Sequence, residues 1–265
     1  MTYQYIKIEK QNEIATVYLD RPEKANALSN ELMDEITHAA RSFDEDAQTR
    51  VVIFTGSGKH FSAGADLSGR RDTDPENIPT LLNRRRKIKS GPRMLHSVFN
   101  MEQITIAAVN GAALGGGACL TTACDFRIGA DNCQIGYPEV PLGMSLSWVS
   151  LPFCVHLIGP ARAKRMVILG NKESAATLLD WGFLDQVVSD KKLMKAAQAM
   201  AEEYASRPPV AAQMVKKSVN AISSALDQSI MHMDMDQVML THMGEDNKEG
   251  IQAFFENRKP VFKGN

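Results

Sequence analysis

Short apolar runs that end in glycine-bearing turns constrain the fold of this chain more than any other feature. Val51 to Phe54 and Ile104 to Val109 are such runs and predict buried strands, and Ile14 to Leu19 predicts another. Between the strands predicted at Ile14 to Leu19 and Val51 to Phe54, apolar residues recur with helical spacing after Ser29, a suitable N-cap. They are Leu32, Met33, Ile36, Ala39, Ala40 and Phe43. Strands that alternate with helices in this way predict a layered α/β core.

The middle of the chain continues the same pattern. Cys119 to Cys124 and Ala161 to Leu169 are expected to be helical, whereas Phe126 to Ala130 and Cys133 to Gly136 are expected to be short strands. The segment from Ser68 to Pro92 is polar and carries Pro75, Pro79 and Gly91. It predicts a mobile or variable loop with a short helix, which could border a pocket.

Strand signals disappear from Lys191 onward, where Ala, Met, Lys and Gln dominate. Lys195 to Ala205 and Val210 to Phe255 are therefore predicted to be helices, and the methionines between 231 and 243 are expected to fill a helix interface. This divides the chain into a core at 1–190 and a helical region at 191–265.

Composition excludes several classes of protein. The 265 residues are 44% hydrophobic, which suits one globular domain with a sizeable core, and 30 basic residues nearly balance 31 acidic ones. An overall field that attracts nucleic acid or anionic membrane is thus excluded. The N-terminus lacks a targeting pattern, and no apolar run approaches the roughly 20 residues needed to span a bilayer, so a cytoplasmic protein is expected.

Cysteine and histidine usage gives no sign of a disulfide framework or a metal site. The four cysteines, Cys119, Cys124, Cys133 and Cys154, form no CxxC pair and are expected to be reduced, inert thiols of an intracellular protein. The six histidines show no metal-ligand spacing. No metal is therefore expected.

Two loops of small residues follow predicted strands and carry the main chemical signal, Phe61 to Leu67 and Asn110 to Gly117. Gly and Ala let a ligand approach the backbone closely, so N–H groups of the two loops can together form an oxyanion hole. Glu139 is the acid that stands where a proton-transfer residue is expected. Gly56 to Lys59 lacks the remaining residues of a phosphate loop, so nucleotide hydrolysis is set aside.

Seven segments in this order resemble the crotonase, or enoyl-CoA hydratase/isomerase, superfamily over nearly the whole chain. They are Asp20 to Leu28, Phe61 to Leu67, Ala108 to Gly117, Cys124 to Ile128, Pro138 to Gly143, Gly159 to Lys164 and Ala253 to Lys259. The resemblance implies a spiral of strand, strand, helix units with a helical C-terminal trimerisation region. It also implies a homotrimer, which often pairs into a hexamer.

The resemblance also assigns the ligand contacts. The N–H groups of Ala65 and Gly116 are expected to hold a thioester oxygen, and two loops to hold CoA through Lys24, Ala25, Ala27 and Leu28 and through Ala63, Asp66 and Leu67. CoA thioester is then a substrate, and no cofactor is implied. A neighbouring subunit's Phe and Lys often reach the CoA adenine and 3'-phosphate. The matching positions here are Phe254 and Asn257, so Arg258 or Lys259 is the candidate substitute.

One departure from the family concerns the catalytic acids. Family hydratases use two glutamates to hold and split water, but the first position here is Cys119. A thiol is a poor match for polarising water, so efficient hydration is expected to be impaired. Glu139 alone suffices to move a proton, which predicts shifting of a double bond from the 3 to the 2 position. Family isomerases also keep only the second glutamate.

A second departure follows Gly143, where a glycine-rich loop is replaced by Met144 to Trp148. Met144 and Trp148 are possible pocket residues with Cys119, although Trp148 packing into the core is equally expected. Asp66 and Asp125 are interpreted chiefly as loop-fixing residues.

Several alternatives stay open. The same scaffold also supports hydration, dehydration, carbon-carbon cleavage and hydrolysis. Cys119 as a nucleophile is a weaker hypothesis because no neighbouring cation in the sequence would lower its pKa. A remote alternative is a crotonase relative that binds RNA or a partner through the basic residues Arg84 to Lys87 and Lys89. Such basic clusters are more often a solvated helix face or a contact for CoA phosphates.

Overall fold

The computed structural model of the chain describes residues 2–68 and 79–265. The strands are β1 Ile6–Gln11, β2 Ile14–Leu19, β3 Val51–Gly56, β4 Ile104–Val109, β5 Ala112–Leu114, β6 Phe126–Ala130, β7 Gln134–Gly136, β8 Glu173–Ser174 and β9 Gln186–Val188. The helices are α1 Asn30–Ser42, α2 Leu81–Lys87, α3 Ser90–Phe99, α4 Gly116–Ala123, α5 Ser150–Leu169, α6 Ala175–Asp180, α7 Leu193–Ala205, α8 Pro209–Ser223, α9 Gln228–Met231, α10 Asp234–Met243 and α11 Glu245–Phe255. Short 3₁₀ turns lie at Pro22–Lys24, Phe43–Glu45, Val140–Leu142 and Asp190–Lys192.

Two sheets form the centre of the molecule. The larger has the order β1-β2-β3-β4-β6-β9, antiparallel between β1 and β2 and parallel elsewhere, with Val17 opposite Phe54 and Phe54 opposite Ala107. The smaller has the order β5-β7-β8. All six residues of β3 are buried, as expected for a parallel strand that is covered on both faces. The predicted α/β core is confirmed.

Local sequence signals account for most of the core elements. The Ser29 side chain accepts a hydrogen bond from Leu32 N at 3.3 Å, which confirms the predicted N-cap of α1. Strands β2 and β4 begin and end as predicted, and β3 continues two residues further, to Gly56. The helix expected at Ala161 to Leu169 belongs to α5, whose N-terminal half is set off by non-helical Gly159 and by Pro160. Four strands were not predicted: β5, β8 and β9 because they are only two or three residues long, and β1 because it is an edge strand with a mostly polar pattern.

The region after β9 is helical, as predicted. Helix α7 packs on β3, β4 and β6 and buries Leu193, Ala197 and Ala201, so it forms part of the layer that covers the larger sheet. Helices α8 to α11 leave many apolar side chains exposed: Val210, Met214, Val215, Val219, Ile222, Leu226, Ile230, Met233, Leu240, Met243 and Phe254. Within the methionine group Met231 is buried, whereas Met233 and Met243 are not.

The structure describes the loop predicted from Ser68 to Pro92 only in part. Residues 69–78 lie outside the described residues, and the expected short helix is α2, followed by the start of α3 at Ser90. All four cysteines are buried free thiols, in agreement with the sequence. Among the described helices none is long and apolar enough to cross a membrane.

A buried ion pair ties α8 to the sheet. Lys216 Nζ lies 2.7 Å from Asp125 Oδ2 and donates to Gln103 O at 2.7 Å, and the lysine side chain is 4% exposed. Asp125 also accepts from Thr105 N and Oγ1. These contacts of Asp125 Oδ2 fix the turn before β6, in line with the interpretation of Asp125 as a loop-fixing residue.

Removing this cation should destabilise the fold. Lys216→Met is expected to lower the free energy of unfolding by about 2–3 kcal/mol, because Asp125 is left as an uncompensated, largely buried charge. The adjacent Lys217 pairs with Glu102 at the surface with a side chain 60% exposed. Lys217→Met is the matched control, with an expected change below about 0.5 kcal/mol in urea unfolding. Equal losses in the two variants would contradict this assignment.

Candidate active site

Backbone pairing brings the two small-residue loops together. Ser62 N donates to Ala112 O at 3.0 Å and Leu114 N donates to Ser62 O at 2.9 Å, a parallel bridge between Ser62 and Ala113. Gly64 has φ +93°, and a Cβ there would lie 2.6 Å from Leu114 O and 3.4 Å from Gly116 N. Glycine is therefore required for the first loop to approach the second this closely.

The two N–H groups proposed for the oxyanion hole are left free by this pairing. Leu28 N donates to Gly64 O and Asp66 N donates to Leu28 O, so the bridge between Leu28 and Ala65 does not use the Ala65 N–H. Gly116 begins α4, where an N–H has no intrahelical acceptor. Within the described residues neither N–H donates to a protein acceptor. The partial positive charge at the start of α4 favours a negative oxygen at the same place.

Glu139 lies beside this helix start. It precedes the 3₁₀ turn Val140–Leu142, and its carbonyl accepts from Leu142 N at 3.0 Å and Met144 N at 2.9 Å. A Cβ on Gly115, the residue before α4, would lie 2.9 Å from Glu139 Oε1, so a side chain at 115 would displace the carboxyl group. The acid and the helix start are thus in direct contact.

The carboxyl group of Glu139 is shielded from solvent on one side. Although the residue as a whole is partly exposed, Oε2 is buried and has no hydrogen-bond partner within the described residues. Burial raises the pKa of Glu139 to about 7, slightly offset by a backbone hydrogen bond. Such a group exchanges a proton readily near neutral pH.

Cys119 lies one turn into α4 as a buried, neutral thiol. Burial, followed by the nearby negative charge of Glu139, raises the pKa of Cys119 well above its usual value. Among the residues that the structure describes, no cation contributes to the raised pKa of Cys119, so the conditions for a reactive thiolate are not met there. The structure thus gives no support to the hypothesis of Cys119 as a nucleophile.

Trp148 and Met144, the other possible pocket residues, lie in different places. The Trp148 ring contacts α4 at Gly116, whereas Met144 Sδ lies 3.1 Å from His242 Nε2 in α10. Met144 lines a cavity of about 460 Å³ with Thr241 and the C-terminus. Of the two, only Trp148 is brought to the predicted oxyanion hole.

One buried side chain, that of Asn26, holds the first predicted CoA loop against the segment that leads from β3 to the second loop. Asn26 Oδ1 accepts from Arg21 N at 2.9 Å, and its Nδ2 donates to Ser57 O at 2.9 Å and His60 O at 2.7 Å. Lys24 and Ala63 are exposed, Ala25, Ala27 and Leu67 are partly exposed, and Leu28 is buried in the bridge to Ala65.

Asp66 acts within the protein in this structure. Its Oδ2 lies 3.2 Å from Arg21 Nη1, and Oδ1 accepts from Ser68 N at 3.0 Å. Burial acts to raise the pKa of Asp66, but the hydrogen bonds from Ser68 and Arg21 outweigh it and hold the pKa below the ordinary value. These contacts fix the loop, in line with the interpretation of Asp66 as chiefly structural.

The C-terminal residues predicted to contact CoA lie outside this cluster. Phe254 is exposed and packs edge-on against Phe255. Arg258 Nη1 and Nη2 donate to the two carboxylate oxygens of Glu249 at 2.6 and 2.8 Å, and Nε donates to Glu256 at 2.5 Å. These pairings raise the pKa of Arg258. A CoA phosphate would have to displace both carboxylates, which weakens Arg258 as the substitute for the missing lysine.

Two other features noted in the sequence or the structure lie apart from Glu139. The basic residues Arg84 to Lys87 lie on α2, which has no buried residue, and Arg85 faces Asp236 at 3.6 Å. A mostly apolar cavity of about 580 Å³ lies between α8 and the sheet, lined by Phe99, Phe153 and Tyr204 among others. Neither includes the start of α4.

Comparisons with known proteins agree with this geometry. The family model described as enoyl-CoA hydratase/isomerase matches residues 9–265. The chain belongs to this family. A crotonyl-CoA hydratase of Syntrophomonas wolfei is 32% identical, with 99% of each chain covered.

Solved structures extend the likeness to the crotonase fold. An enoyl-CoA hydratase/isomerase of Pseudoalteromonas atlantica T6c matches with a TM-score of 0.87 at 25% identity, over 98% of this chain and 100% of that one. A monofunctional enoyl-CoA isomerase of M. smegmatis matches with a TM-score of 0.71 at 26% identity, over 83% and 94%. The protein is an enzyme of the hydratase/isomerase type with a crotonase fold.

Sequence reasoning missed two residues of the C-terminal helices that support the site. Asp234 Oδ2 accepts from Val149 N at 2.5 Å, and Asn247 Nδ2 donates to Leu142 O at 2.9 Å. Both side chains are buried. They lie about a hundred residues from the turns that they hold, and no local pattern in the sequence marks them.

The buried carboxyl of Glu139 should cost stability when it is ionised. Its folded-state pKa of about 7 lies above the ordinary value of about 4.3, so wild-type stability falls as pH rises through this window. Glu139→Gln is therefore expected to be more stable than wild type at pH 8, by about 1–3 kcal/mol, with the difference shrinking toward pH 5.

Urea unfolding at pH 5, 6, 7 and 8 measures this difference. Glu23, an exposed glutamate, provides the matched Glu→Gln control, for which little change is expected. A Glu139→Gln difference that is the same at every pH would mean that the carboxyl group is solvated rather than buried.

Proposed function

We propose that this enzyme shifts the double bond of a 3-enoyl-CoA thioester to the 2 position, with Glu139 as the proton-transfer residue. The observation that carries the proposal is the buried carboxyl group of Glu139 beside the start of α4. It has a raised pKa, and the neutral thiol of Cys119 stands at the position of a second acid. Isomerisation needs one group that takes a proton and returns it, and no water is consumed.

The reaction follows from the geometry of the two loops. The thioester oxygen accepts hydrogen bonds from the N–H groups of Ala65 and Gly116, which stabilise the negative charge of an enolate. Ionised Glu139 removes a proton from carbon 2, and the electron pair of that C–H bond becomes the new double bond between carbons 2 and 3. The pair of the old double bond takes the same proton at carbon 4, so substrate and product are isomers.

Hydration of a 2-enoyl-CoA is the second candidate, because a relative with 32% identity is a crotonyl-CoA hydratase. Glu139 would then act alone on water, without the second carboxylate that shares this task in family hydratases. The buried and neutral Cys119 supplies neither a charge nor a strong acceptor for that water. The geometry therefore favours isomerisation over hydration.

CoA binding and assembly complete the proposal. We infer that the loops Lys24 to Leu28 and Ala63 to Leu67 hold CoA mainly through their backbone, since they flank the oxyanion N–H groups. The exposed apolar side chains of α8 to α11 fit a surface on which copies of this chain associate, as a trimer or as a pair of trimers.

Removal of the proton-transfer group tests the proposal directly. Glu139→Gln is expected to lower kcat for 3-enoyl-CoA isomerisation on the order of a thousandfold with little change in acyl-CoA binding, because the oxyanion N–H groups remain. A substrate deuterated at carbon 2 should deliver part of its label to carbon 4 of the product. Turnover that survives the substitution would remove Glu139 from the mechanism.

The pH profile gives an independent prediction. Since the ionised carboxylate is the base, kcat/KM for isomerisation should rise with pH and level off above about pH 7. Steady-state kinetics between pH 5 and 9 measure this profile. A midpoint near 4.5 would contradict the buried environment described for Glu139.

Cys119→Ser separates the thiol from the chemistry. The variant is expected to keep isomerase activity within about threefold of wild type, because a neutral buried thiol takes no part in proton transfer. A nucleophilic role for the thiol predicts a loss of several orders of magnitude instead. Parallel assays with a 2-enoyl-CoA and water report whether hydration exceeds isomerisation, which would favour the second candidate.

A further inference from the structure

The Trp148 side chain is wedged between two helices at the predicted thioester site. A Cβ on Gly91 of α3 would lie 2.2 Å from Trp148 Cε2, and a Cβ on Gly116 of α4 would lie 2.2 Å from Trp148 Cζ3. Both glycines are thus needed to admit the ring. The outer edge of the six-membered ring rests on the residue whose N–H is assigned to the thioester oxygen, and the five-membered ring rests on α3.

The backbone conformation at Trp148 is unusual. Trp148 and Val149 have φ values of +64° and +55°, a region that L residues rarely adopt and that disfavours β-branched side chains most. The buried carboxylate of Asp234, in α10, accepts the Val149 N–H at 2.5 Å. A strained conformation of this kind persists only where surrounding contacts over-determine it. Here α10 supplies such a contact.

The Trp148 ring and the Glu139 carboxyl group lie against consecutive residues at the start of α4. Glu139 Oε1 lies against Gly115, and Trp148 lies against Gly116. An acyl group whose carbonyl oxygen is bound at the Gly116 N–H has its second to fourth carbons beside the Glu139 carboxyl group. Carbons further along the chain meet the indole.

We propose that Trp148 is the residue that determines acyl-chain length, closing the pocket just beyond the reacting carbons so that the enzyme takes short acyl-CoA thioesters. This inference rests on the proposed function for the location of the thioester. The ring acts as a plug rather than as an open stacking surface, because its five-membered ring contacts Gly91 and its six-membered ring contacts Gly116.

A chain-length series tests the plug. For 3-enoyl-CoA substrates of six, eight and ten carbons, wild-type kcat/KM is expected to fall by about tenfold or more from the shortest to the longest. Trp148→Ala should raise the ten-carbon to six-carbon ratio by about tenfold, and Trp148→Phe by a smaller factor, because the smaller side chains leave room for further methylene groups.

Trp181 provides a matched control. It is the other tryptophan of the chain, is also partly exposed, and packs against the guanidinium groups of Arg162 and Arg165. Trp181→Ala should leave the chain-length ratio unchanged. A folded Trp148→Phe or Trp148→Ala enzyme with the wild-type ratio would overturn the proposal.

A double-substitution cycle tests the wedge itself. Gly91→Ala should force the indole out of place and lower kcat/KM for the six-carbon substrate by about tenfold or more, because the new Cβ has no room beside the ring. In a Trp148→Ala background the same Gly91→Ala change should have little effect. Additive effects would mean that the ring does not occupy this position in solution.

Binding measurements keep the two hypotheses separable. Saturated acyl-CoA thioesters of four to twelve carbons report chain length without turnover, through thermal stabilisation of wild type and Trp148→Ala. A preference for short chains that Trp148→Ala removes would support the plug even if no isomerisation is found, which would count against the proposed function alone. Equal stabilisation by all lengths in both proteins would overturn the plug.

Discussion

The parallel bridge between Ser62 and Ala113 is the contact on which the site depends. It sets the loop after β3 beside the loop after β4, at hydrogen-bond distances of 3.0 and 2.9 Å. Parallel strands end at the same edge of a sheet, so loops that follow them are placed to meet there. Because this pairing uses alternate backbone groups, it leaves the N–H groups of Ala65 and Gly116 free of protein acceptors among the described residues.

Several features near this bridge lower the stability of the protein. The Glu139 Oε2 atom is buried without a hydrogen-bond partner among the described residues, and Trp148 and Val149, neither of them glycine, have positive φ values. Such costs concentrate at functional sites, where they adjust reactivity and shape. Burial of Glu139 raises its pKa toward neutrality, and the Trp148 turn places a large ring against Gly116, the residue after the glycine that Glu139 approaches.

The C-terminal helices stabilise the turn that follows Glu139 and the turn at Trp148 and Val149. Asn247 and the close packing of Gly250 against Leu142 hold the turn that follows Glu139, and Asp234 holds the turn at Val149. The segment between Glu139 and Ser150 is therefore fixed at both ends by residues far along the chain. If subunits associate through α8 to α11, assembly and the shape of the acyl pocket are linked through these same helices.

The sequence by itself determined the α/β core and indicated the candidate site residues. Hydrophobic periodicity identified β2, β3, β4 and α1, because a buried strand or an amphipathic helix needs apolar residues at regular positions along its own sequence. The small-residue loops and Glu139 were visible because a close backbone approach and a proton-transfer group each need particular residue types. Short strands such as β8 carry too few residues for any pattern.

Tertiary structure decided what depends on contacts between distant residues. The sequence left Trp148 either in the core or in the pocket, and only the tertiary structure shows a ring that packs against the core and also contacts Gly91 and Gly116. It offered Arg258 as a phosphate ligand, which Glu249 and Glu256 already occupy. The raised pKa of Glu139 likewise comes from the burial that the fold creates, which residue type and spacing do not encode.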